Sequence, residues 1–173
     1  MMHRVVLGTA GALAVAAGIV FSAGSAVVAS PDGVQLANAA QMAAVKERQE
    51  TMKSIGGNMK TIADFLKESK GTAAEAEAAA AKIGELARTI PAVFETEASL
   101  AQMDAVGKNR AKPEIWQDWA GFVEAAEVLE ERSAALVTAF QSGDAGAIQA
   151  AFGAMGKDGC GGCHNEFRGT KVE

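Results

Sequence analysis

The sequence predicts an all-α protein, an antiparallel four-helix bundle, on three observations. No segment alternates apolar and polar residues in the manner of a strand, and tyrosine is absent. Ala, Glu, Lys, Met and Leu dominate, which favours helix throughout. Apolar residues recur at spacings of three and four in successive stretches that end at glycine or proline.

The first helix is expected from about Asn38 to Lys70, with Val45, Met52, Ile55, Met59, Ile62 and Leu66 as an inward seam. Gly56-Gly57 interrupts it, at a propensity cost of about 1 kcal/mol per glycine. Gly71 stops the helix, and Thr72-Ala73-Ala74-Glu75 has the form of a capping box that starts the second. That helix continues through Ile83, Leu86 and Ile90 to Pro91. A long connection, partly helical at most, is expected from Ala92 to Lys112, and it carries Phe94 and Met103.

Pro113-Glu114 opens the third helix, because proline tolerates the first turn and an acid complements its positive end. Ile115, Trp119, Phe122, Ala126, Leu129, Leu136 and Phe140 carry it to Ser142. Gly143-Asp144 is the next break, with Asp144 as N-cap. The fourth helix runs through Ile148, Phe152 and Met155 to Phe167, with Gly159 and Gly161-Gly162 as points of local loosening.

The N-terminus reads as an export signal. Arg4 precedes an uncharged Ala/Gly/Val-rich stretch from Val5 to Ser30, and Val27-Val28-Ala29 offers a small-residue cleavage site after Ala29, with Gly24-Ser25-Ala26 as a second choice. An uncleaved membrane anchor is the alternative, since the run is long enough to span; its many small residues make it only mildly apolar. The expected division is therefore a signal over residues 1–29 and one bundle domain over 30–173. Removing the signal takes one arginine and no acid from 16 basic and 21 acidic residues, leaving a net charge near −6. Such a surface argues against nucleic acid and anionic membrane as partners.

Cys160-Gly161-Gly162-Cys163-His164 carries the chemistry. Cys-x-x-Cys-His is the attachment signature of haem c: two thiols add to the porphyrin vinyl groups, and the adjacent imidazole becomes an axial ligand. On a helical turn, residues three apart share a face, so both thiols reach one porphyrin edge. A thioredoxin-like pair would sit near a βαβ pattern. A zinc site would need a fourth ligand, yet there is no third cysteine, and the other histidine, His3, lies in the expected signal. A disulfide between the two cysteines would leave His164 unexplained. One covalently attached haem c with His164 as proximal iron ligand is the expected cofactor.

With this motif at the C-terminus, the chain resembles the class II c-type cytochromes, the cytochrome c-prime group with its low-spin c-556-type relatives. The resemblance covers nearly all of the chain after the signal. It rests on Cys160 to His164 followed by Asn165-Glu166-Phe167-Arg168, on Val45-Lys46-Glu47-Arg48-Gln49-Glu50-Thr51-Met52, and on Lys112-Pro113-Glu114-Ile115-Trp116. It implies that Arg48 and Gln49 contact the haem edge or propionates, that Met52 faces the distal side of the iron, and that Arg168 lies near the proximal histidine. It also implies export to the periplasm and, in many members, a homodimer.

Two functions follow. Met52 as a sixth ligand would make a low-spin electron carrier between periplasmic redox proteins, since Met/His ligation raises the potential. Met52 as a lid would leave a five-coordinate, high-spin iron that captures NO or CO. The electron carrier is the preferred reading, given Met52 and the lack of a distal histidine. An enzyme is not expected, because the distal stretch offers only Arg48 and Gln49 for acid–base work.

Overall fold

The computed structural model describes residues 31–99 and 109–170. The expected signal, its cleavage sites, His3 and Met103 lie outside the described residues. Those described form α1 (Pro31–Glu68), α2 (Ala73–Phe94), α3 (Glu114–Gln117), α4 (Trp119–Ser142), α5 (Ala145–Ala154), a π-helical turn (Met155–Gly161) and α6 (Gly162–Phe167). The all-helical four-helix bundle expected from the sequence is the fold, with α3–α4 as its third helix and α5 to α6 as its fourth.

Several boundaries differ from the sequence reading. α1 already includes Pro31, the first described residue, ahead of the expected Asn38. It ends at Glu68 because Ser69 turns left-handed, φ 53°, and the Lys70 N–H returns to Asp64 O at 3.2 Å. α2 passes through Pro91 to Phe94. A proline this close to the end removes little of the hydrogen-bond ladder, and the buried Ile90 and Phe94 hold the last turn down.

The third helix divides at Asp118, φ −122° and ψ 62°. Its carboxylate accepts from Gly121 N at 3.1 Å and so restarts the chain as the N-cap of α4. A Cβ on Gly121 would overlap that carboxylate, so any other residue here would have to displace the cap. The Thr72–Glu75 capping box and the Asp144 N-cap form as the sequence suggested.

α2 is the central helix of the packing. Ala76, Ala79, Ala80, Ile83, Gly84, Ala87 and Ile90 are buried, and α2 lies against both α1 and α4. Small residues let the backbones approach closely: a Cβ on Gly84 would lie 3.4 Å from Ser133 Cβ of α4. Phe122, Leu136 and Ile83 are among the fully buried side chains, each contributing about 1.5–3 kcal/mol by removal from water. α4 in turn carries α5, the π turn and α6. α1 and the C-terminal segment do not share backbone packing of this extent, so the fourth side of the bundle is where its helices stay apart. No helix among the described residues is long and apolar enough to cross a membrane.

Candidate haem site

The haem motif straddles a change of helix type. Cys160 lies in the last part of the π-helical turn, and Cys163 and His164 lie in α6. The turn is anchored to α4 at two buried points. Met155 is fully buried, and Ser133 Oγ of α4 lies 3.5 Å from its sulfur. Gly159 is buried against Leu129, where a Cβ would stand 3.0 Å from Leu129 Cδ1 and 3.2 Å from its Cα. Only glycine allows the turn to cross α4 this closely. The local loosening expected at Gly159 and Gly161-Gly162 therefore takes the form of a π turn, a feature frequent at functional sites.

Cys160, Cys163 and His164 are half-buried, while Gly162, Asn165 and Glu166 between and beyond them are exposed. Both cysteines are free thiols packed against the main apolar cluster. Burial pushes both thiols up, Cys163 to about 11, with a smaller contribution from the neighbouring Cys160. Burial also holds the His164 imidazole below its ordinary value, helped by the charges of Arg168 and Arg110. A neutral imidazole is the form that ligates iron, and two thiols on adjoining turns against an apolar wall suit the edge of a porphyrin. The donor set fits haem c. No cluster of three or more His, Cys, Asp or Glu side chains among the described residues suggests a competing metal site.

The segment that follows the motif is tied down. Residues 110–112 form a short antiparallel bridge with residues 167–169: Lys112 N donates to Phe167 O at 3.1 Å and Gly169 N to Arg110 O at 2.8 Å. Arg110 Nε donates to Gly169 O at 2.8 Å, and Lys112 Nζ to Glu166 O at 2.5 Å. Arg168 thus lies beside Arg110 and within electrostatic reach of His164, in agreement with the place the resemblance implied for it. The long connection before α3 shows no helical periodicity, so nothing in the sequence indicated Arg110.

On α1, Met52 is half-buried against the core, as is Met59. Arg48, expected at the haem edge, is 3 % exposed and points at the chain after α2. Its Nε donates to Val93 O and its Nη1 to Ala98 O, each at 3.0 Å, and its Nη2 donates to Thr96 O. The guanidinium carbon stands 4.7 Å from the Phe94 ring centroid and 5.1 Å from that of Trp116. Burial lowers its pKa to about 10, which still leaves it cationic at neutral pH. A cation on the last carbonyls of α2 is electrostatically apt.

Gln41, Trp116 and Asn109 bond Glu97 O, Phe94 O and Ala98 O in the same stretch. Gln49 is half-buried beside Arg48. Phe94 packs on Phe122 with centroids 5.0 Å apart. Lys46, Lys53 and Lys60 are exposed, as a solvated face should be.

Comparison with known proteins agrees with this geometry. The sequence pattern of the family described as cytochrome C' matches residues 43–168. The chain is 31 % identical to cytochrome c' of Rhodospirillum rubrum over 144 residues, 83 % of this chain and 94 % of that protein. The crystal structure of cytochrome c' from Thermochromatium tepidum is similar at TM-score 0.63 and 28 % identity, covering 75 % of this chain and 97 % of that one. The nitric oxide complex of a cytochrome c prime mutant from Alcaligenes xylosoxidans is similar at TM-score 0.63 and 27 % identity, covering 76 % and 97 %.

Proposed function

The chain belongs to the cytochrome c' family, and on that premise we propose that it is an exported one-electron carrier, with His164 as proximal iron ligand and Met52 as the sixth ligand. Cys160 and Cys163 hold its covalent haem c. Bound there, the haem supplies an Fe(III)/Fe(II) couple. The chain's own residues do the rest. The thiols fix the group in place, the neutral His164 imidazole offers its ring nitrogen, and the apolar cluster behind them keeps water from that side.

The observation that carries the reading is the half-exposed setting of the motif turn. Gly162, Asn165 and Glu166 reach solvent within the haem-bearing turn itself. Electron exchange between proteins needs a short path to the surface, and such a turn provides one. Met52 is a chemically suitable ligand because a thioether donor favours the reduced iron and raises the potential. Its half-buried place on α1, the helix that stays apart from the motif segment, is compatible with that role.

A second reading is gas capture, with Met52 only crowding the distal side. It is favoured by the similarity to a solved nitric oxide complex. The absorption spectrum of the reduced protein separates the two. Sharp α and β bands mean six-coordinate low-spin iron and support the carrier, whereas one broad band means five-coordinate iron and supports gas binding.

The family is typically exported, and residues 1–29 are the proposed signal, delivering the chain to the periplasm. There the net negative surface suits a redox partner with a basic docking face. Intact mass of the secreted protein should equal a chain starting near Ser30 plus one haem; a mass that retains Met1 would favour an anchor.

A further inference from the structure

Away from the haem motif, an open groove of about 370 Å³ lies between the end of α2 and the start of the third bundle helix. Pro91, Ala92, Glu95, Trp116 and Trp119 line it. The sequence holds two tryptophans, and both stand here, each half-buried. Trp116 belongs to α3 and Trp119 to α4, on either side of the break at Asp118. The Trp116 ring is held in place, since its Nε1 donates to Phe94 O at 2.9 Å.

The two indoles are not equivalent. The Arg48 guanidinium already stands 5.1 Å from the Trp116 centroid, whereas no cation stands over Trp119 among the described residues. Glu95 is exposed, and among those residues its carboxylate takes part in no ion pair. An indole without a cation and a carboxylate without a counter-charge in one groove suit a positive group. Pro91 and Ala92 add an apolar wall for the methylene stem of a lysine or arginine.

The groove is also joined to the haem-bearing helix. Trp119 packs on Phe122 with centroids 5.6 Å apart, and Phe122 meets Phe167 edge to face at 5.3 Å. Both phenylalanines are buried, and Phe167 ends α6, three residues after His164. A side chain seated on Trp119 is therefore linked to α6 through packed rings.

We propose that this groove docks a lysine or arginine side chain on the basic face of the protein with which the chain exchanges its electron. The proposal places the docking site of the carrier reading and rests on that reading. The occupant follows from charge: a chain of formal net charge −5 attracts a basic partner, whose cation meets Glu95 and the Trp119 face. Tryptophan is also among the residues that most often anchor such contacts. In the exchange one electron passes between partner and haem iron; no bond forms or breaks, and no proton moves.

Two measurements on the holoprotein test this. The first is binding of trilysine by titration calorimetry, with the side-chain-acetylated peptide as the uncharged control. Trp119→Leu and Glu95→Gln should each weaken trilysine binding about two- to fivefold. Glu131→Gln removes the same charge from an exposed site about 18 Å further along α4. It should leave binding unchanged at 0.15 M ionic strength, where charges more than about 8 Å away are screened. The second is oxidation of the reduced protein by tris(phenanthroline)cobalt(III), a cation that takes one electron to become cobalt(II), against oxidation by the ferricyanide anion. The cation-to-anion rate ratio should fall about two- to fivefold in Trp119→Leu and in Glu95→Gln.

The proposal is overturned if trilysine binds the wild type no better than these two variants, or no better than the acetylated peptide does. A loss in Glu131→Gln equal to that in Glu95→Gln overturns it as well, since overall charge and not the groove would then matter. So does an unchanged rate ratio, because the groove would bind cations without serving electron exchange. If Trp119→Leu does not fold, Glu95→Gln decides alone, as its exposed carboxylate is no part of the core. Failure of the carrier reading is separable: it shows in a high-spin reduced spectrum, whereas trilysine binding is measured whatever the spin state.

Discussion

α2 and α4 bury a continuous strip of side chains from Ala76 to Phe94 and from Phe122 to Phe140, while the segment from Ala145 to Phe167 buries only Ile148, Met155, Gly159 and Phe167. The first pair consists of long regular helices with capped starts. The second is a short helix, a wide π turn and another short helix, with its reactive side chains left half-buried. The α2–α4 seam completes itself from protein atoms. The C-terminal segment takes its shape from two contacts with α4, at Met155 and Gly159, and turns its remaining chemistry toward a cofactor.

That contrast makes separate predictions for the two regions. Replacing Cys160 and Cys163 together with alanine should have the largest effect. Haem would no longer survive denaturing electrophoresis, seen as loss of the peroxidase-stained band, and far-UV circular dichroism should report a weakened bundle. A stained band in the double variant would mean attachment elsewhere.

Within the self-completing seam, Ile83→Ala should cost about 2–5 kcal/mol, since the side chain is fully buried, yet leave the haem attached and its spectrum unchanged. Thermal unfolding of the holoprotein checks the first part and the visible spectrum the second. A spectrum that moves with Ile83→Ala would show that the two regions are not independent.

Gly159→Ala should be intermediate in size but act on both regions. Its Cβ would meet the Leu129 backbone, an overpacking worth about 1–3 kcal/mol, and the π turn must shift to relieve it. Here the spectrum should change along with stability. Stability loss with an unmoved spectrum would disconnect the π turn from the haem.

The smallest effect, and the only stabilising one, concerns neither region but the end of α1. Ser69 holds φ 53°, a conformation glycine adopts without penalty, so Ser69→Gly should raise stability by up to about 1 kcal/mol. A fall in melting temperature would mean that Ser69 contributes contacts beyond its backbone.

The regular half of this comparison was legible in the sequence, and the irregular half only in its chemistry. Spacing of three and four located the helices, the capping box at Thr72 and the N-cap at Asp144, because those signals are local. Cys160, Cys163 and His164 were legible because attachment demands a contiguous pattern. The resemblance implied Arg48 at the haem edge; its hydrogen-bond partners, Val93, Thr96 and Ala98, lie 45 to 50 residues away and leave no mark near it in the sequence. The break at Asp118 was hidden inside an otherwise periodic run. Arg110 was invisible for a related reason, since a bridge between the connection before α3 and the tail after α6 depends on tertiary packing alone.

Met52 joins the two halves of the account, as a half-buried residue of α1 proposed to serve the chemistry of the last helix. The reduced absorption spectrum of the wild type beside Met52→Ala tests this most directly. The account predicts sharp low-spin bands in the wild type and a single broad high-spin band in the variant. A wild type that is already high-spin would contradict it in favour of gas binding. A low-spin spectrum that survives Met52→Ala would remove Met52 from the iron and point to Met59 or a lysine.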